Sequence, residues 1–443
     1  APCRAGAAAA ARRHRAQGAA EAATEAQQGA AEWWRAVALI GALCAALLGP
    51  PGDFSGPFPG RPAAAWARGT TSSGQRVNKD PVSLLQFALP LEEINGEKQV
   101  QTVRALQTDI ESVKVNTLVR LWGNVQGAAE DSIKKVTKER EALLKPVPKD
   151  RRAEAEAVLT KIGDELPNML EASRKGDTAG AGTTRDEDAS GAVLKSAEAC
   201  QKLVGDLEEL MVPAGYVAPI PADVQKDVAK SSLPLLNGRA TVEFKLKRPP
   251  GSDAKIFTVN TELYDEATLK MVVDGWSTPI TAGNFIDLVD RGFYTGMKVQ
   301  RADGFIIQTG DTGDAQDHGF RTAPDKPVRR VPLEVAVKGK QQALYGETVD
   351  EAGLVGAQVK IPFQADGTVA MARSEFDNDS ASCQFFLFLF ESDMTPAGKN
   401  FLDGRYSTFG YTVEGADFLR QVAEGDLIVS AKVIDGLDKL TRT

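Results

Sequence analysis

Two stretches of different texture predict an α+β multidomain chain, with an N-terminal all-α helical bundle followed by a closed antiparallel β-barrel capped by two helices. Three observations carry this expectation. Apolar residues recur three or four apart through residues 100–136 and again through 192–211. From Arg239 the pattern changes to short alternating runs, ATVEFKL (240–246) and KMVVDGW (270–276). Between these regions, Pro213, Pro219, Pro221 and Pro234 mark an extended connector. A chain of 443 residues is also too long for one ordinary domain.

The bundle opens at Asp80-Pro81, a capping acid followed by a proline suited to a first helical turn. That helix should stop at Leu89-Pro90. Val103, Leu106, Ile110, Val113, Leu118, Leu121, Val125, Ala129, Ile133 and Val136 then predict one long amphipathic helix, ended by Pro146 and Pro148. A second helical stretch covers 151–165, with Pro167 as a candidate interruption, and a third covers 192–211. Residues 176–191 between them read as a flexible surface loop. The stripes satisfy one another as an antiparallel bundle, or the long one pairs with a partner chain. In the C-terminal part, helical patterns occur at 281–291 and around 414–424.

Composition narrows the function classes. The content is 42% hydrophobic and 25% charged, which is globular, and the net charge is −8. The first 67 residues hold more basic than acidic side chains, so the remainder is more acidic still. Such a body has no general electrostatic attraction for nucleic acid or an anionic membrane surface. The two histidines, His14 and His318, make no zinc spacing, and no nucleotide-binding loop occurs. Neither a metal nor a cofactor is expected. Cys200 and Cys383, the two cysteines beyond the leader, are too few for a disulfide framework, although one bridge stays open.

Residues 1–67 read as a cleaved address. An Ala-rich, acid-poor stretch with Arg4, Arg12, Arg13 and Arg15 precedes Arg35, an apolar run over 36–48 and Ala65-Trp66-Ala67. As a helix the apolar run spans roughly 20 Å, short of the ~30 Å hydrocarbon core, which argues against a permanent membrane anchor. An uncleaved anchor or a disordered tail is the alternative. The arrangement resembles the bipartite chloroplast transit and thylakoid-lumen signal. Residues 68–79 then form a flexible mature N-terminus, 80–212 the bundle, 213–236 the connector and 237–443 the second domain.

Within that second domain lie GFYTGMKVQRADGFIIQTGD (292–311), KIPFQADGTVAMAR (360–373), QFF (384–386) and FLDGRYSTFG (401–410). Together these resemble the cyclophilin family of peptidyl-prolyl cis-trans isomerases, and the resemblance sharpens the barrel to a cyclophilin-like one of eight strands. Isomerising an X–Pro bond means rotating a partial double bond against a barrier near 20 kcal/mol. An apolar cup for the pyrrolidine ring and a donor that weakens amide resonance suffice for it. The resemblance implies Arg301 as that catalytic donor. It implies Phe305, Ile306, Gln308, Ala372, Arg373, Gln384, Phe386, Phe401, Leu402 and Tyr406 as the substrate-binding wall. On residue type alone, the aromatics read equally as barrel core and Arg301 as a surface ion-pair partner. Tyr406 stands at a family histidine position, Phe401 at a tryptophan, Ile306 at a methionine and Arg373 at an asparagine. The Arg301-to-Phe305 spacing is one residue short.

Residues 311–367 exceed the compact family loop and carry VRRVPLEVAVKGK (328–340) and LYGET (344–348), the latter resembling the family's YGE element. This insertion is either a partner surface or loop padding. With the address and the KDPVSLLQFALPL opening (79–91), the whole resembles the large two-domain thylakoid-lumen cyclophilins. That resemblance implies assembly and stabilisation of photosystem II, with its lumenal loops as partners. It also implies a link to thylakoid protein phosphorylation through a phosphatase, and a helical domain that contacts the cyclophilin domain and restricts its pocket. Two functions are expected to compete: a chaperone-like assembly factor with weak or restricted isomerase activity, and a fully active foldase of lumenal proteins. An inert scaffold is a third.

Overall fold

The computed structural model describes residues 79–252, 256–259, 261–313, 318–389 and 400–442. The address expected over 1–67, its cleavage site and nearly all of 68–79 lie outside the described residues.

Asp80 caps α1 (Pro81–Ala88) as its sequence predicts, its carboxylate accepting from Val82 N at 3.0 Å. A short α2 (Leu91–Asn95) follows. The single long helix expected next is instead two, α3 (Glu97–Leu118) and α4 (Trp122–Lys138). The break lies at Arg120, which adopts φ 59° and is held there by its own side chain. That guanidinium donates to Asp186 Oδ2 at 2.9 Å and to Ser190 Oγ at 2.8 Å. Both helices face the same core through Val113 and Val125, but the expected stripe is interrupted at the turn, where Leu118 and Leu121 are exposed.

After α5 (Arg140–Leu144), α6 (Arg152–Thr178) runs straight through Pro167, with flexible Gly163 at the position where the ring crowds the backbone. The loop expected over 176–191 shrinks to a turn before α7 (Thr184–Leu210), because Thr183 caps that helix by accepting from Asp186 N at 3.3 Å. Arg151 at the start of α6 donates to the Val212 carbonyl at 2.9 Å, and Arg120 at the end of α3 reaches Asp186 at the start of α7. The long helices therefore run antiparallel. Gly176 of α6 lies against the Trp122 ring, 2.5 Å from where a Cβ would stand, so only glycine allows this approach. Ile110, Val113, Val125, Leu159, Ile162, Val193 and Val204 form the shared core. The connector is not merely extended, since it contains α8 (Ala222–Ser231).

The C-terminal part contains β1 (Leu235–Leu236), β2 (Arg239–Lys247), β3 (Phe257–Val259), β4 (Glu262–Tyr264), β5 (Glu266–Asp274), β6 (Arg301–Ala302) and β7 (Ile306–Thr309). It continues with β8 (Glu334–Val335), β9 (Leu344–Tyr345), β10 (Thr368–Met371), β11 (Phe385–Phe388), β12 (Thr408–Glu414), β13 (Leu427–Asp435) and β14 (Leu440–Thr441). Eight of these form one antiparallel sheet in the order β13-β2-β5-β12-β10-β11-β7-β6. The expected closed barrel is corrected to a curled, open sheet. Its two-residue edge strand β6 does not pair with β13. The segment just before β6 instead meets the start of β13 through an isolated bridge between Lys298 and Leu427 and a few backbone bonds, such as Val299 N to the Asp426 carbonyl at 2.8 Å.

Alternation in β2 and β5 places Val242, Phe244, Leu269 and Met271 inside, in register as Val242 with Met271 and Phe244 with Leu269. α9 (Pro279–Asp290) is buried along nearly its whole length and sends Phe285 against Phe385 at 5.1 Å. The second expected capping helix is a six-residue 3₁₀ turn, Ala416–Gln421, too short to wind as an α-helix between β12 and β13. At the α9 N-terminus, the Glu334 carboxylate accepts from Thr281 N at 2.8 Å and Ile280 N at 3.3 Å. Burial nevertheless pushes its pKa up to about 7.

Helices and sheet share interfaces. The polar face of α1 meets the bundle, with Gln86 donating to the Gln201 carbonyl at 2.6 Å and Ser83 donating to Glu111. Its apolar residues Leu84, Leu85 and Ala88 pack on Ile361, Ala365 and Tyr411. Buried Arg239 joins Glu209 at 3.1 Å, and Lys360 pairs with Glu93 at 2.8 Å. Cys200 and Cys383 are free, each buried. Among the described residues, no helix is long and apolar enough to cross a membrane.

Candidate functional site

Four strands carry the site. Ala370 of β10 pairs with Phe386 of β11, Phe386 with Gln308 of β7, and Gln308 with Arg301 of β6. Directly opposed residues project to the same face, so these four form one row across the sheet. Two positions further on, Phe388 opposes Ile306 on that same face. The alternate residues Phe385 and Leu387 point into the main core. This explains the unbroken apolar run 385–389: both of its faces are covered.

On the outer face Phe363, Ala370, Phe386 and Phe388 are buried together, with Phe305, Ile306, Ala372, Leu402 and Tyr406 packed around them. Phe363 stacks on Phe386 with centroids 6.0 Å apart and meets Phe388 edge-on at 5.3 Å. Gln308 Nε2 donates to Gln384 Oε1 at 2.8 Å, which fixes both amides beside the cluster. Phe401 does not join it: its ring is 61% exposed.

Tyr406 packs at the partly exposed edge of this apolar cluster. Its ring stands edge-on to Phe386 at 5.5 Å, and the Arg373 guanidinium lies over it at 5.1 Å from the centroid. Arg373 is itself folded back, donating to the Arg405 carbonyl at 2.9 Å and the Ser374 carbonyl at 2.7 Å. Arg301 is similarly engaged. Its Nε donates to Asp303 Oδ2 at 2.7 Å, while Asp303 Oδ1 accepts from Phe305 N and Ile306 N, both at 3.0 Å. Burial acts to raise the Asp303 pKa, but the Ile306 and Phe305 amides and the Arg301 guanidinium hold it below the usual carboxylate value. The shortened β6–β7 turn thus has a carboxylate at its centre.

The insertion braces the rim. It has its own apolar cluster of Leu333, Val335, Val337, Val349 and Val359. Val349 N donates to the Gly404 carbonyl at 3.0 Å, Asp350 pairs with Arg405 at 3.1 Å, and Asn378 donates to Glu351 at 2.9 Å. Gly404, at φ 78°, lies against the Val349 side chain, 2.5 Å from where a Cβ would stand. Sequence reasoning missed Phe363, Phe388 and Asp303. The i, i+2 repeat of phenylalanines signalled Phe388, and an Asp-Gly pair in a shortened turn signalled Asp303.

The class of protein follows from the second half of the chain, where residues 256–439 match the family model described as cyclophilin type peptidyl-prolyl cis-trans isomerase/CLD. Residues 80–212 match the model described as the PsbQ-like domain of CYP38-like peptidyl-prolyl cis-trans isomerases. The chain is 35% identical to the chloroplastic peptidyl-prolyl cis-trans isomerase CYP38 of Arabidopsis thaliana, over 82% of this chain and 75% of that one. It is 36% identical to a putative thylakoid lumen peptidyl-prolyl cis-trans isomerase of Synechocystis, over 84% and 86%. A third relative, the chloroplastic CYP37 of Arabidopsis thaliana, is 29% identical over 77% and 68%. The chain belongs to the CYP38-type family of two-domain thylakoid-lumen cyclophilins. Its location is the chloroplast thylakoid lumen, in line with these relatives.

Proposed function

We propose that this lumenal cyclophilin binds proline-containing segments of photosystem II subunits as an assembly and stabilisation factor, and turns over X–Pro bonds weakly. The observation that carries the reading is the covered edge of the apolar cluster, with Tyr406 lodged between Phe386 and Arg373. An apolar cluster behind such a ring still grips a proline side chain. Rotation of the bond, however, needs a donor free to follow the amide nitrogen, and Arg301 is tied to Asp303. α1 supports restriction by the helical part, because it packs on Ile361, two residues before Phe363 in the cup wall.

The second reading, a fully active foldase, is favoured by the intact Arg301–Gln308–Phe386–Ala370 row. A protease-coupled proline-peptide assay on the chain from Arg68 decides between them. Low turnover that rises at least tenfold in Tyr406→His, with binding of photosystem II lumenal peptides by the unaltered chain, supports the proposal. High turnover that Tyr406→His leaves unchanged establishes the foldase.

A further inference from the structure

Beside the cup, the segment from Arg373 to Ser380 carries Phe376, whose side chain is 94% exposed. Scattered exposed apolar residues are ordinary, but this one sits on a loop fixed from several sides. Ser380 Oγ accepts from Ser374 N at 2.7 Å and donates to the Asp377 carbonyl at 2.6 Å. Asp379 Oδ1 accepts from Leu333 N at 3.1 Å, Asn378 donates to the Gly346 carbonyl at 3.0 Å, and Arg330 donates to the Ser380 carbonyl at 2.7 Å. The insertion therefore holds an aromatic side chain out in water. A ring held ready loses little conformational freedom when a ligand covers it.

Position and charge indicate the ligand. Arg373 lies on Tyr406 at the edge of the cluster, and Phe376 is three residues further along, within ~10 Å of chain. A bound peptide covers that distance in about three residues. Exposed Glu375 and Asp377 are the chain neighbours of Phe376, with Asp377 Oδ1 accepting from Asp379 N at 3.0 Å, while the nearest cation in sequence, Arg373, is folded back onto backbone carbonyls. An exposed aromatic residue on a locally acidic segment suits a bulky apolar side chain together with a Lys or Arg.

We propose that Phe376 is a second anchor on the client. On the reading of the cup as a proline site, the preferred segment carries a bulky apolar residue and a Lys or Arg within about three positions of its proline.

The test uses the chain from Arg68 and two probes: the tetrapeptide Ala-Ala-Pro-Ala, and a twelve-residue peptide with that core plus a Trp and a Lys nearby. Affinities are read by calorimetry. The long probe should bind more tightly than the short one, and Phe376→Ala should weaken it by about tenfold while leaving the short probe unchanged. Phe376→Leu should retain most of the affinity, and Glu375→Gln should weaken only probes that contain Lys. Leu263→Ala, at another exposed apolar position, serves as the control and should change nothing. Equal binding of the long probe by Phe376→Ala and the unaltered chain overturns the anchor. Equal binding of the long probe when its proline is replaced by alanine overturns the proline site itself, and the two failures are separable.

Discussion

Replacing Asp303 by asparagine tests whether Arg301 is restrained or prepared by its partner. Asn keeps an oxygen able to accept from the Phe305 and Ile306 amides, so the β6–β7 turn should persist and only the charge is lost. The Arg301 and Asp303 side chains are 44% and 36% exposed. Water screens a pair this open, and such pairs contribute about 0.2–1 kcal/mol. Releasing the guanidinium should therefore lower the barrier by no more than that amount, a rise in turnover of about 1.5- to 5-fold. A protease-coupled assay on a proline tetrapeptide resolves that range. The gain should shrink as salt is raised, because the unaltered pair is progressively screened. Unchanged or reduced turnover in a normally folded Asp303→Asn chain would refute the reasoning and recast Asp303 as the group that aims Arg301.

Three further outcomes are expected. Arg301→Ala should lower turnover by on the order of 10²–10³-fold with little change in thermal unfolding, since the side chain is exposed. Burial raises the folded-state pKa of Glu334 from the ordinary 4.5 to about 7, so the folded chain keeps a proton that the unfolded chain has released. Its contribution is present below about pH 4.5 and is lost as the pH rises to 7; urea unfolding across that window should show a decline that Glu334→Gln flattens. Burial pushes the Cys200 thiol up to about 12 and the Cys383 thiol to about 11. In the chain from Arg68, a thiol reagent should modify neither until denaturant is added, and rapid labelling of the native chain would contradict their burial.

Local chemistry made some elements legible and hid others. Asp80-Pro81 announced α1, and alternation announced β2 and β5, because each signal is confined to neighbours in sequence. The turn at Arg120 was hidden because the partners that stabilise it, Asp186 and Ser190, lie more than sixty residues away. Pro167 and the glycines near 180 suggested breaks, yet tertiary packing carried α6 through the first and Thr183 capped α7 after the second. In the site, ordered motifs singled out Arg301, Gln308 and Phe386, and the strand register sets these three in one row. The stack of Arg373 on Tyr406 was not legible, since it depends on how two loops meet.

The doubly covered strand β11 has a consequence for how the chain reaches its native state. Until β7 and β10 flank it, residues 385–389 form an uncharged, proline-free ribbon with oily side chains on both sides. Its partner β7 lies some eighty residues upstream in the chain, so that protection arrives late. The run of phenylalanines that lines the cup therefore also makes the nascent protein prone to self-association, and refolding yield should fall steeply as concentration rises.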